Sequence, residues 1–356
     1  MGHKYVGLDV HQSSTVAAVH DDRGKSRMES ILATEAESVR DFLKGLGGTV
    51  HVTFEEGAQA GWLYEIVRPL VAEVIVCNPR MNKLLSVGNK ADRVDAHKLA
   101  ELLRCRQLKP VYHGAVGVRR LKELVHSYDS LVGDTTRVMN RVKAVYRGRA
   151  IGCAGREVYA QRHREAWLEK LSEPGVRQRA AFLYQQLDAL TGLRREARKA
   201  MLEESRRHPA YQILKPIPVW GPIRMAQILA KVASPHRFRS KRQFWAYCGL
   251  AVVTRSSADY HFRDGQAEKR QRAPMTRGLN PNFNHRLKEV FKSAALEGIH
   301  QAPFDGCYAR LVGKGIRPEL ARLTLARKIA AVTLTLWKRG ERFDELKVSE
   351  PVSSRP

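Results

Sequence analysis

Apolar and polar positions along the first hundred residues give strand and helix signals in turn. Residues 4–10, 15–20 and 27–32 read as three successive strands, with Asp21-Asp22-Arg23-Gly24 as a hairpin turn. Residues 35–46 switch to helical spacing and close at Gly47-Gly48. Residues 50–54 return to a strand, 61–71 to a helix and 73–77 to a strand stopped by Asn78-Pro79, and 91–104 form a further helix.

Hairpin strands first and strand–helix alternation afterwards predict a ribonuclease-H/RuvC-like mixed sheet. A doubly wound fold would alternate from the start. The middle third follows three-and-four spacing through Leu121, Leu124, Val125, Tyr128, Leu131, Val138 and Val142, and again from Leu168 to Met201. Two long amphipathic helices in an antiparallel or intermolecular coiled coil account for it. From about residue 211, Ile217-Pro218-Val219-Trp220-Gly221-Pro222 predicts a hairpin between helices, with a glycine whose neighbourhood could present backbone N–H groups to a phosphate. A helix over 238–249, a polar, strand-poor stretch at 254–259, and helices over 284–296, 304–312 and 317–337 complete the pattern. The expected fold is thus α/β plus α: a RuvC-like domain over 1–112, a helical coiled-coil domain over 113–208, a small mainly helical domain over 209–346 and a polar tail over 347–356.

Charge changes the picture. Lys and Arg total 62 against 36 acids, a formal net charge of +26. An excess this large predicts a polyanionic partner, because each phosphate neutralised releases condensed counterions. Arg141, Lys143 and Arg147 on the first long helix, and Arg255, Lys269, Arg270 and Arg272 later in the chain, are the nucleic-acid-binding candidates, although any single one reads as a solvated face. No run of about eighteen apolar residues exists, and no signal-peptide pattern opens the chain, which argues against a membrane role. The five cysteines are odd in number and scattered, with no C-x-x-C pair. They predict a reducing cytoplasm rather than a disulfide framework or zinc site. The glycines near 313–315 lack a phosphate-loop motif, so nucleotide triphosphates are not expected partners.

Four acids stand where a fold would not choose them. Asp9 interrupts an apolar strand, Glu55 ends another, and Asp92 and Asp95 lie three apart on one helix face. Converging carboxylates repel each other unless a divalent cation neutralises them, and hard oxygen donors select magnesium or manganese, the metals of phosphoryl transfer. The bland reading of Asp92 and Asp95 is an N-cap and its first-turn partner. Glu56 doubles the acid at the end of its strand and stands as an alternative to Glu55. His11, His97 and His126 read as surface or packing residues, and Ser256 and Ser257 alone as an ordinary loop.

Several segments together carry a resemblance: Tyr5-Val6-Gly7-Leu8-Asp9-Val10, Phe54-Glu55, Cys77-Asn78-Pro79, Lys90-Ala91-Asp92-Arg93-Val94-Asp95-Ala96, and Phe244-Trp245-Ala246-Tyr247-Cys248-Gly249-Leu250 leading to Ser256-Ser257. In this order they resemble bacterial insertion-sequence transposases that join a DEDD RuvC-like domain to a serine-bearing C-terminal domain, recombinases guided by a bridge RNA from their own element. The resemblance implies a metal held by Asp9, Glu55, Asp92 and Asp95 and a nucleophile at Ser257, one residue past Ser256. It also implies donor and target DNA, a guide RNA, a homodimer or tetramer, and action at the bacterial nucleoid. Two departures stand out: Glu55-Glu56-Gly57 shortens the usual acid–small residue–Gly spacing, and Val219 replaces the first glycine of the hairpin. The alternatives are a RuvC-type metal-dependent nuclease whose C-terminal domain only binds DNA, and a basic RNA-binding scaffold with no activity.

Overall fold

The computed structural model describes residues 2–79, 91–113, 116–255, 260–263, 266–269 and 275–345. They fall into two compact units, Met1–His113 and Gly114–Pro356.

In the first unit β1 (His3–Val10), β2 (Ser14–Asp21) and β3 (Ser26–Ala33) form an antiparallel meander. β4 (Thr49–Glu55) and β5 (Glu73–Cys77) extend the sheet in parallel beyond β1, giving the order β3-β2-β1-β4-β5. The mixed sheet is ribonuclease-H-like, as the order of signals predicts. Alternation along β1 divides its side chains between two layers. Val6 and Leu8 are buried with Val39 and Leu43 of α1 (Ala36–Gly45) and Leu63 and Val67 of α2 (Ala60–Val67). Tyr5 on the other face packs with Leu99, Leu102 and Leu103 of α3 (Asp92–Arg104). A polar chain fastens α3 to the meander: His20 bonds His97 at 2.9 Å, His97 reaches Glu29 at 3.2 Å, and Arg93 pairs with Glu29.

The second unit is mainly helical. α4 (Val116–Arg147) and α6 (Pro174–Arg206) run antiparallel, since Arg120 pairs with Glu204 at one end and the Tyr146 and Tyr184 hydroxyls meet at 3.0 Å at the other. At the tyrosine end the short α5 (Arg164–Glu169) inserts Trp167 against Tyr146. At the opposite end Leu121, Val125 and Met201 share a core with α7 (Tyr211–Leu214), α8 (Pro222–Val232), α9 (Lys241–Tyr247), α10 (His285–Gly298), α11 (Phe304–Gly313) and α12 (Pro318–Arg339). Burying each such Leu, Val or Met contributes about 1.5–3 kcal/mol, so this shared core holds the helix pair in place.

Three sequence expectations need correction here. The helix expected over 238–249 spans only Lys241–Tyr247, because Ser240 caps it by accepting from the Gln243 N–H at 3.4 Å. Two residues past its end stands Gly249, whose φ of +65° and contact with the Phe283 ring leave no room for a Cβ. Of the stretch 254–259, expected to be strand-poor, Thr254 and Arg255 belong to a strand, and 256–259 lie outside the described residues. β6 (Val252–Arg255) pairs with β9 (Met275–Leu279), and β7 (Tyr260–Arg263) with β8 (Gln266–Lys269), both antiparallel. Strands of four or five polar-rich residues are held by cross-strand hydrogen bonds and leave no apolar alternation to read. The hairpin before α8 turns inward: Val219 and Trp220 are buried, the Trp220 indole donates to Thr333, and Arg224 takes the Val219 carbonyl. That packing fixes the hairpin through the Val219 and Trp220 side chains.

Candidate active site

Strand register and helix placement assemble the acids of the first unit at one end of the sheet. Leu8 registers with Phe54 in the parallel β1–β4 pair, so Asp9 and Glu55 come next on strands about 4.8 Å apart. α3 crosses the same face, and its first turn carries Asp92 and Asp95. The capping alternative fails, because the extended Ala91 is the N-cap and no side chain caps this helix. The positive end of the helix dipole still eases the placing of two acids there.

Charge coupling shows how closely the four meet. Burial pushes the Asp9 carboxyl above its ordinary range; a hydrogen bond from His11 opposes this, and the charges of Asp92 and Asp95 add to it. Glu55 is also raised, by burial first and then by the charges of Asp9 and Asp95. Asp95 Oδ1 is buried and accepts no hydrogen bond; the nearest cation, Lys98, stands at 3.7 Å. A buried carboxylate oxygen without a donor costs on the order of 1–3 kcal/mol unless something positive meets it.

Glu56 points elsewhere. It pairs with His113 at 2.7 Å, and its N–H donates to the Cys77 carbonyl. Of the two neighbouring glutamates, the structure brings Glu55 to the other acids.

One histidine that the sequence reads as a surface or packing residue is exposed and stands beside the acids. His11 Nε2 lies 3.1 Å from Asp9 Oδ2 and 3.5 Å from Asp92 Oδ2. Asp9, His11 and Asp92 each offer one ligand atom, all within 4.8 Å of one another. The available signal was the two-residue spacing from Asp9, which returns a side chain to the same face of an extended chain. His97, by contrast, belongs to the structural chain through His20 and Glu29.

The donor set fits a divalent cation. Carboxylate oxygens dominate, one is buried without a hydrogen-bond donor, and two carboxyls are raised by burial and then by the charges of their acidic neighbours. Asp9, Asp92, Glu55 and Asp95 could hold such an ion, with His11 beside the first two.

The nucleic-acid candidates are placed differently. Arg141 and Arg147 are exposed on α4 and form no ion pair among the described residues. Lys143 is occupied: it donates to the Gly155 carbonyl at 2.8 Å and lies over the Tyr159 ring. Arg255 closes β6 and Lys269 closes β8. Ser256, Ser257, Arg270 and Arg272 lie outside the described residues. None of the five cysteines is in a disulfide, and among the described residues no helix is long and apolar enough to cross a membrane.

Comparison with known families agrees with this arrangement. A transposase model of the IS110 DEDD type matches residues 6–148, which include all four acids and His11. The model of the IS116/IS110/IS902 transposase family matches residues 211–281, from α7 through β9. Among proteins with curated descriptions, none matches the chain. Together the two models cover more than half of the chain, in the order expected of such enzymes, and the chain belongs to the IS110 family of insertion-sequence transposases, with a DEDD N-terminal domain.

Proposed function

We propose that this transposase is an RNA-guided recombinase that cuts and rejoins DNA strands through a serine nucleophile, Ser257, assisted by a divalent metal at the DEDD cluster. The observation that carries the metal reading is the convergence of Asp9, Glu55, Asp92 and Asp95, with the buried Asp95 Oδ1 lacking a donor. Magnesium is the expected ion and manganese the alternative, the latter favoured if the His11 nitrogen takes part. When bound, the ion would neutralise charge developing on the phosphate under attack.

The chain's own groups have separable roles in this reading. The four acids hold the ion, and His11, bonded to Asp9, stands where it could carry a proton. Ser257 Oγ attacks the phosphorus and loses its proton while the DNA oxygen leaves with one. A phosphoserine ester forms whose energy is close to that of the broken diester. Rejoining to another strand then needs no nucleotide triphosphate, which suits recombination better than hydrolysis. Arg255, Lys269, Arg270 and Arg272, in the same segment of the sequence as the serine, and Arg141, Lys143 and Arg147 on α4, are proposed contacts to nucleic acid. The division of labour would follow the segments 1–112 for the acidic cluster, 113–208 for dimer or tetramer contact and 209–346 for the serine, with the tail 347–356 outside.

Strand exchange on the element's own ends in magnesium tests the reading. Asp9→Asn should abolish it, with Asp92→Asn and Asp95→Asn nearly as severe, while fold and nucleic-acid affinity persist. Exchange at the parental rate in these variants would remove the cluster from the mechanism. Guide RNA is tested separately, by expressing the protein with its flanking DNA and sequencing what copurifies. A discrete small RNA supports guidance, and random host transcripts alone reduce it to generic polyanion affinity.

A further inference from the structure

Residues 205–258 contain no Asp or Glu but ten Lys and Arg. Arg207 and Arg224 pair with Glu204 and Glu297 outside the stretch, while four cationic residues crowd into positions 237–242. Like charges this close repel, so the segment costs stability unless it has a counterpart.

The structure holds this stretch in one shape. Phe238 is buried against Phe244 and Tyr247, with ring centroids 4.9 and 5.3 Å away. Lys338 donates to the Phe238 carbonyl from α12. The Arg239 N–H donates to Gln243 Oε1 at 2.7 Å, and Ser234 accepts from the His236 N–H at 3.3 Å. Arg237 is spent inside, over the Tyr247 ring at 4.7 Å and bonded to the Val232 carbonyl. Arg239, Lys241 and Arg242 are left exposed on this fixed backbone and form no ion pair among the described residues. A solvated charged face would be interleaved with acids or mobile, and this one is neither.

We propose that Arg239, Lys241 and Arg242 form a contact surface for the sugar–phosphate backbone of duplex DNA. Rigid backbone beneath flexible cationic tips suits a partner read by charge spacing rather than by base identity. The surface rests on the family's DNA substrate and not on the proposed strand chemistry.

The test uses the full-length protein, labelled duplex DNA and no divalent metal, so neither the acids nor the serine enters the readout. Replacing Arg239, Lys241 and Arg242 together by Gln should lower affinity at least about tenfold in low salt. It should also reduce the slope of log affinity against log salt by about 2 to 3, since each phosphate contact contributes about 0.9. Replacing the exposed Lys25, Arg40 and Lys44 of the other unit by Gln serves as the matched charge control and should leave the slope nearly unchanged. Arg239→Lys, Lys241→Arg and Arg242→Lys together should restore the parental value. An unchanged slope in the Gln variant overturns the proposal. So does an equal loss in the control, which would mean a diffuse field, or a loss seen with duplex RNA of the same sequence and not with DNA.

Discussion

A Cβ built on Gly7 would lie 2.1 Å from the Ala96 carbonyl oxygen and 2.5 Å from the Ala100 nitrogen. Backbone meets backbone there, so no side chain can swing aside. This absence of a side chain in mid-strand lets α3 lie directly on β1 and brings Asp92 and Asp95 to Asp9. Gly7→Ala should therefore act at a distance of two residues from the acid: α3 must lift, at a cost on the order of 3 kcal/mol. We expect a fall of several degrees in Tm and loss of strand exchange with Asp9 intact. Unaltered melting and activity would mean that the helix approach is not what assembles the site.

The acids should make the metal-free protein less stable than it could be. Asp9 and Glu55 are raised above their ordinary values of 3.8 and 4.5. A carboxyl with a raised folded pKa binds protons more readily folded than unfolded, so its ionisation costs stability as pH climbs past that value. Asp9→Asn should equal or exceed the parent in metal-free Tm at neutral pH. Free magnesium at about 100 times its Kd should then stabilise the parent by about 2.7 kcal/mol and leave Asp9→Asn unmoved. Metal affinity of the parent should weaken as pH falls, beginning above the usual carboxylate range. Thermal melts with and without magnesium across that pH range check both signs.

Adjacent glutamates at the end of β4 should separate cleanly. Glu55→Gln removes a carboxylate that feels Asp9 and Asp95, while Glu56→Gln alters a pair with His113 at 2.7 Å. We expect a loss of strand exchange of at least a hundredfold for Glu55→Gln, and a Glu56→Gln enzyme within about threefold of the parent with Tm lowered by a few degrees. The reverse ranking would make Glu56 the metal ligand.

What the sequence shows and what it hides follow from the physics of each signal. The five-stranded sheet is legible because its strands bury one or both faces, leaving apolar runs of the right period between Gly, Asn and Pro stops. Asp9, Glu55, Asp92 and Asp95 are legible because each breaks such a pattern. His11 is not, since it follows the last residue of β1 and an exposed histidine breaks nothing. Ser240 starts α9 two residues after Phe238 through its cap, a boundary that the apolar Phe238 alone does not reveal. The ribbon of β6 and β9 is invisible because backbone hydrogen bonds define it and its strands are too short to show an apolar alternation.

The nucleophile is the remaining assignment. Counting from Gly249-Leu250, just past the end of α9, the serine of the family's C-terminal pattern falls on Ser257 without a gap, and Ser256 lies one residue early. Ser257→Ala should stop strand cleavage while leaving metal, RNA and DNA binding intact, and Ser256→Ala should retain activity. With the parent enzyme, a protein–DNA adduct should survive denaturation and disappear on protease treatment. It should be missing from Ser257→Ala. Cleavage that persists in Ser257→Ala and yields free DNA ends would make water the nucleophile, and the chain a metal-dependent nuclease of the RuvC type.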